Sequence, residues 1–515
     1  MRPLFALLLL ALVSIGSTVA PAAERSGSTA PLVLAQQTFD PPPTGQRGGN
    51  QRPPRRGGSS HGLDPLVGFG IGFGVGIAID ALTRPRDDGR ELPPLNPPPD
   101  PGQTRQPPRN PIVYVSLPNP APLPPPRPLT DAAAAGGQPP GEFRAGEVMV
   151  SLDLQAGADA PAQIAQDFNL LLLRETLIGL TGQRLVVYTI PDPRSVDEVE
   201  TALTADPRPS AVQKNFVYRL GGEIVRGSMA AGQYALRAMH VAAAHEMARG
   251  RGVTIAVIDS AVASDHPEFA GAIAAAYDAA GYGLKVPEPH GTSVAGIIAA
   301  RGGLVGVAPE ARLLAVRAFW REGADGPVTS SSEVIARAID WAVANGAQVL
   351  NLSFTGPRDA LVARLLEEAR KRGAIAVAAA GNNGPGSAPL YPAALEGVIA
   401  VTATDSRDAL FAKANRGSYV DIAAPGVDIL SPAPNADYQV ISGTSMATAH
   451  ISGLAALLIE TQAQRQPDAD VAIGAIAGSA RDLGAPGRDP EFGAGLADAE
   501  SMLTNGATAA AAKAR

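Results

Sequence analysis

The chain contains no cysteine, so no disulfide can brace it. Whatever core it has must hold by burial, even in an oxidising compartment. Positive charge is also missing in the balance. The formal net charge is −7, and a mildly acidic chain gives no electrostatic reason to expect nucleic acid as a partner. A long apolar run is absent at the front: Leu4–Val13 falls short of the roughly 20 residues that a membrane-crossing helix needs. Histidine is scarce, with six in 515 residues, most of them necessarily incidental to any one site. No His, Asp or Glu spacing reads as a metal cluster.

What is present at the front reads as an export signal over residues 1–23. Arg2 supplies the positive end, Leu4–Val13 the apolar run, and Ser17–Ala23 a small-residue region in which Ala20 and Ala22 form an A-x-A site. The alternative is a retained anchor. Either reading makes the protein exported: secreted, or held in the periplasm or cell envelope.

Residues 24–140 are rich in Pro, Gly, Gln and Arg, with runs such as Pro41-Pro42-Pro43 and Pro124-Pro125-Pro126. Such composition predicts unpacked or polyproline-like chain. One island interrupts it at 66–79, where Gly68, Gly70, Gly72, Gly74 and Gly76 alternate with Phe69, Ile71, Phe73, Val75 and Ile77. Two readings stay open for it: membrane or self-association through small-residue faces, or a linker with no function.

Order resumes near Gly141. Strands are expected at Glu147–Leu152, Arg184–Ile190 and Ala211–Tyr218, with helices at Pro161–Leu172 and Ser195–Leu203. Ser195 and Glu198 make a capping box. Residues 141–220 therefore read as a small α+β domain, and nothing in it converges on a site. Residues 221–232, with Gly221-Gly222 and Gly227-Ser228, read as an exposed linker open to nicking.

From 233 to 505 short apolar runs alternate with amphipathic helices. The runs are Val253–Ile258, Arg312–Arg317, Gln348–Leu352, Ala374–Ala379 and Val398–Thr402. Helices are expected at Ser332–Asn345 and Pro357–Arg372, closed by Gly346 and Gly373. This predicts a doubly wound α/β domain with a parallel sheet covered on both faces, followed by a flexible tail at 506–515. Ligands of such sheets bind at the carboxyl ends of the strands.

Those ends carry the chemistry. The first run closes on Asp259, another segment opens on His290, a later run reaches Asn382, and Ser445 stands at the start of an apolar helix. Taken singly each is weak, and Ser445 is equally an ordinary helix cap. Together they occur as Ala256-Val257-Ile258-Asp259-Ser260, His290-Gly291-Thr292-Ser293-Val294-Ala295-Gly296, Ala379-Ala380-Gly381-Asn382 and Gly443-Thr444-Ser445-Met446-Ala447. In these four stretches, and in their order, the chain resembles the subtilisin-like (S8) serine peptidases. More loosely, 141–220 resembles the inhibitory propeptide of that family.

The resemblance implies a serine endopeptidase that processes itself from a proenzyme. Ser445 would be the nucleophile and His290 its general base. Asp259 would hold the imidazole, and Asn382 would donate to the oxyanion. Ser353, Phe354, Thr355, Gly356, Ala380 and Gly381 would bind an extended substrate by strand addition. Partners would be protein or peptide substrates and the chain's own propeptide in cis. No cofactor is implied, although the family often binds calcium through loop oxygens that leave little signature. A silent scaffold serving as a binding module is the alternative. An acyl hydrolase would want G-x-S-x-G around Ser445 and the order Ser, Asp, His, which this chain does not offer.

Three departures from the family pattern stand out. Ala261 replaces a usual Gly, and Thr355 replaces a frequent Gly, where its branched side chain is expected to make the pocket shallower. Ala449 replaces a Pro expected in a cis bond, so that Thr448–Ala449 is either cis, at a cost of roughly 2.5–4 kcal/mol, or rebuilt as trans.

Overall fold

The computed structural model describes residues 129–131, 141–225, 232–281, 288–323, 326–462 and 469–505. The expected export signal, the glycine-alternating island, most of the Pro-rich region and the tail lie outside them. The Pro-rich region does contribute one element: Leu129–Asp131 pairs antiparallel with Glu142–Arg144.

The small domain is an antiparallel sheet with two helices on one face. Its four strands are ordered Ala211–Leu220, Glu142–Asp153, Gln183–Thr189, Leu171–Ile178. One of these strands was unforeseen. The first helix spans only Ala160–Asp167, not Pro161–Leu172, because Asn169 adopts a left-handed φ of 50° and turns the chain back. Leu171 and Leu172 then begin the edge strand, where both are exposed. The second helix, Val196–Thr204, carries the full capping box of Ser195 and Glu198. Val148, Val150, Ile164, Tyr188, Val199 and Leu203 fill the core between sheet and helices.

The large domain is built on seven parallel strands. Their spatial order is Ile422–Pro425, Val398–Thr404, Ile375–Ala379, Val349–Leu352, Thr254–Asp259, Arg312–Arg317, Ile273–Asp278. From Thr254–Asp259 the chain crosses to the edge strand Ile273–Asp278 and returns inward to Arg312–Arg317. It then passes to the other side of Thr254–Asp259 and winds outward from Val349–Leu352, so the direction of winding changes beside that strand. That is the switch point at which such sheets hold ligands. The three strands Thr254–Asp259, Val349–Leu352 and Ile375–Ala379 are buried throughout, as parallel strands covered on both faces must be.

One face packs against Pro289–Ala299 and Thr444–Thr461. The latter is buried all round from Thr444 to Ile459, which accounts for its lack of a polar stripe. The other face packs against Ser332–Ala344 and Ala360–Lys371, closed by Gly346 and Gly373 in left-handed conformations. The last of these helices starts three residues later than Pro357. Asp359 is its N-cap, accepting from Leu361 N and Val362 N, so Pro357 lies outside it.

The two domains share a core. Met149, Ile178, Leu185 and Val187 of the small sheet pack with Ile335, Ile339, Leu365 and Leu366 of that helix pair. Ion pairs and hydrogen bonds frame the apolar contact. Arg174 forks onto Glu333, Arg364 donates to Gln183, and Leu180 N donates to Asp340.

The expected exposed linker begins differently. Glu223–Val225 is a strand paired antiparallel with Asp437–Ser442, so residues 221–225 cross the large domain before 226–231, which lie outside the described residues. Backbone pairing on both sides of Gly221-Gly222 fixes this path. No helix among the described residues is long and apolar enough to cross a membrane.

Candidate active site

Four segments bring Asp259, His290, Asn382 and Ser445 together at the carboxyl end of the sheet. Asp259 ends the strand beside the switch point and is fully buried. Ser260 donates to its Oδ1 from the backbone at 2.7 Å and from the hydroxyl at 3.2 Å. The same hydroxyl accepts from Gly291 N at 3.0 Å, which ties the aspartate turn to the first turn of the His290 helix. Ala261 does not have a positive φ, so its methyl group strains nothing in the turn.

His290 Nδ1 lies 2.8 and 3.0 Å from the two carboxylate oxygens of Asp259, and Nε2 lies 3.1 Å from Gly221 O. Both ring nitrogens thus face acceptors. Burial alone would lower the imidazole pKa. The charge and hydrogen bond of Asp259, together with the Gly221 carbonyl, outweigh it and raise the pKa above 6.5. The Gly221 carbonyl is one of the acceptors that favour the charged imidazole.

Ser445 is the second residue of the helix Thr444–Thr461. Its hydroxyl donates to Gly221 O and reaches Ser353 O at 3.1 Å. Ser353 Oγ in turn donates to Ser445 O at 3.0 Å. Gly443 leaves room for the cleft segment: a Cβ there would stand tightly, 3.1 Å from Gly222 Cα and 3.2 Å from Asn382 Nδ2. Ala449 lies inside the helix, and the only cis bond among the described residues is Tyr391–Pro392. Of the two alternatives for Thr448–Ala449 the trans one holds, because the helix runs straight through.

Asn382 is oriented by its own contacts. Its Oδ1 accepts from Thr444 N at 3.0 Å and Thr444 Oγ1 at 2.9 Å, which leaves Nδ2 for the cleft. Nδ2 would lie 2.7 Å from a Cβ at Gly221. An oxygen placed there would meet Nδ2 beside the first turn of the Ser445 helix, whose dipole favours negative charge, an arrangement suited to a developing oxyanion.

The cleft is occupied by the chain itself. Ala211–Leu220 runs between two strands of the large domain, with Arg219 opposite Thr355 and Thr329, and Tyr218 opposite Ser330. Residues 223–225 continue along Asp437–Ser442. Gly221 O is left between Ser445 and His290. Beside it lies a cavity of about 360 Å³ lined by Phe354, Thr355, Gly356, Ala379, Leu390 and Tyr391 among others.

The other expected binding residues divide. Phe354 and Thr355 pair with the cleft strand and Gly356 lines the cavity. Ser353 is buried behind Ser445. Ala380 and Gly381 are set back: Ala380 O accepts from Tyr419 OH, and Gly381 N donates to Thr444 Oγ1.

Some residues escaped the sequence reading. Thr444 orients Asn382, and Asp359 caps a helix beside the cleft; Asp359 alone had a usable signal, an acidic cap candidate just before a helical pattern. Glu268 closes the far end of the His290 helix. Its buried carboxylate accepts from Gly302 N, Gly303 N, Leu304 N and Tyr438 OH. His450 is buried, accepts no role in the cleft, and has its pKa pushed down to about 4 by burial. No group of three or more His, Asp or Glu converges as a metal site among the described residues.

Comparison with known proteins gives a consistent family. The family model that matches residues 250–495 is described as the Subtilase family. The chain is 34% identical over 326 residues to a thermophilic serine proteinase of Bacillus sp. (strain AK1), covering 62% of this chain and 79% of that one. It is 38% identical over 234 residues to thermitase of Thermoactinomyces vulgaris, covering 44% and 81%. The minor extracellular protease Epr of Bacillus subtilis (strain 168) is 37% identical over 276 residues, 52% of this chain and 40% of its own length. Among solved structures, fervidolysin from Fervidobacterium pennivorans, described as a keratinolytic enzyme related to subtilisin, matches with a TM-score of 0.61 at 24% identity. That match covers 72% of this chain and 62% of the other, and it speaks to the fold alone.

Proposed function

The chain belongs to the subtilase family and is a serine endopeptidase of the subtilisin type, and from that premise we propose that Asp259, His290 and Ser445 form its triad, within a precursor that cuts itself between Gly221 and Gly222. The observation that carries this reading is the convergence of Ser445 Oγ and His290 Nε2 on one backbone carbonyl, that of Gly221.

The chemistry follows from the groups around that carbonyl. Ser445 Oγ attacks the carbonyl carbon as its proton passes to His290 Nε2. Asp259 holds the Nδ1–H and stabilises the imidazolium. The oxygen takes the negative charge and accepts hydrogen bonds from Asn382 Nδ2 and the Ser445 N–H. Collapse breaks the peptide C–N bond, and His290 returns the proton to the leaving amine. Water then releases the acyl group by the same route. No step in this sequence passes through a cofactor.

In the precursor the Gly221 oxygen sits between the serine and the histidine, not against Asn382. Self-cleavage requires that carbonyl to rotate toward Asn382, which frees His290 to act as base. Until then residues 141–220 act as a brake. The covalent link keeps them at an effective concentration in the mM range. After cleavage and release, protein or peptide substrates take the same path by pairing with Val328–Ser331 and Phe354–Thr355. Export of the chain, to the medium or the cell envelope, fits the extracellular relative and the leader-like front.

The test is Ser445→Ala in the full chain. The variant is expected to stay at the larger mass with 141–220 attached, to leave casein intact, and to resist a fluorophosphonate probe that labels the parent. The parent is expected to yield a form beginning at Gly222 or, after further trimming of the segment behind it, no later than Tyr234. Comparable casein cleavage by the variant, or the same cut made in the variant by itself, would sink the assignment.

A further inference from the structure

Tyr218 is the fourth residue back from the bond at Ser445, counting Gly221 as the first. It is fully buried, although its strand runs in a cleft that substrates must enter. Its ring stands edge-on to Phe354, with centroids 5.6 Å apart. Gly356 makes room for it: a Cβ there would lie 2.4 Å from the Tyr218 ring. The hydroxyl donates to Asp359 Oδ2 at 3.0 Å.

Asp359 is only 2% exposed, and its other oxygen is committed. Oδ1 accepts from Leu361 N at 2.9 Å, Val362 N at 3.2 Å and Gln213 Nε2 at 2.9 Å. Oδ2 has Ser332 Oγ and the Tyr218 phenol. Phe354, Gly356, Ser332 and Asp359 all belong to the large domain, so the pocket persists when residues 141–220 leave. Burial, then the nearby Asp359 charge, hold the phenol pKa well above its ordinary value, so it remains a donor across the working range.

From this geometry, and resting on the cleft reading above, we infer that Asp359 is a specificity-determining residue: its carboxylate reads the hydroxyl of a tyrosine four residues before the bond to be cut. Phenylalanine would fill the same apolar walls but strip water from Oδ2 without replacing the lost donor. A site built for a hydroxyl rejects the analogue that lacks it. Aspartate or glutamate at that substrate position would meet like charge.

Two peptides that differ only in Tyr or Phe at that position test the inference on the enzyme matured from the full chain. The parent is expected to favour Tyr in kcat/KM by at least about tenfold, the size of one hydrogen bond to a charged group. Asp359→Ser keeps a preferred helix cap but withdraws the carboxylate, and the ratio should fall to within about twofold. Asp359→Asn keeps the shape and serves if the Ser variant folds poorly; there the ratio should drop at least threefold. Equal cleavage of both peptides by the parent overturns the inference and leaves the peptidase reading intact. So does a Tyr preference that either Asp359 variant retains in full. Failure of the parent to cut either peptide, or casein, would instead bring down the peptidase reading, and this inference with it.

Discussion

Arg174→Leu, made in the Ser445→Ala chain so that no cleavage intervenes, isolates what holds the small domain in place. Arg174 meets the Glu333 carboxylate through Nε at 2.8 Å to each oxygen and through Nη2 at 2.7 Å. The Glu333 side chain is 1% exposed and that of Arg174 is 15% exposed, so neither is well solvated. Removing one partner of a buried pair costs about 3–5 kcal/mol, chiefly by stranding the other charge. Two features soften that here. Arg337 remains 3.8 Å from Glu333, and Glu333 lies in the first turn of its helix, where the helix end favours negative charge. We therefore expect about 2–3 kcal/mol, which shifts the undocking equilibrium about 30- to 150-fold.

Amide hydrogen exchange is the assay. The N–H groups of 217–220 are protected by pairing across the domain boundary, and their exchange should accelerate by the same factor, while those in Val349–Leu352 should not. Arg174→Leu with Glu333→Leu should recover more than half of the loss, because the buried carboxylate is gone and Arg337, whose side chain is 18% exposed, keeps contact with water. Acceleration under threefold in the single variant, or a double variant worse than the single, would refute the reasoning.

Two further outcomes are expected. The raised His290 pKa means that the neutral base is lost as pH falls, so single-turnover cleavage should decline on the acid side with an apparent pKa above 6.5; a profile flat from about pH 5 to 9 would exclude His290 as the base. Thr355→Gly should widen acceptance of Phe and Tyr next to the scissile bond, from a parent preference for small or medium apolar residues; a peptide library in which the parent already prefers Phe would contradict this.

Asp259, His290, Asn382 and Ser445 were legible in the sequence because each lies in a short local motif. A strand end or helix start is set by residues within a few positions, and the order of the four motifs restricts the family. Ser195 with Glu198, and Gly346 and Gly373, were readable for the same reason: caps and left-handed ends are local chemistry. The failures were also local in origin. An apolar run at Leu171–Leu172 fits a helix or a strand, and only the turn at Asn169 decided it. Ala449 could be judged only once the helix around it was known.

What the tertiary structure alone decided is the use of the cleft. Gly221-Gly222 carries no signal beyond flexibility, yet it lies at Ser445 because its flanking strands pair with residues more than one hundred positions away. Asp359 reads locally as a helix cap, and only packing sets its second oxygen against a phenol from another domain. Local sequence fixes which backbone groups need partners and which side chains can ionise. Which distant segment supplies the partner is settled by closing the whole core, and no window of the sequence contains that information.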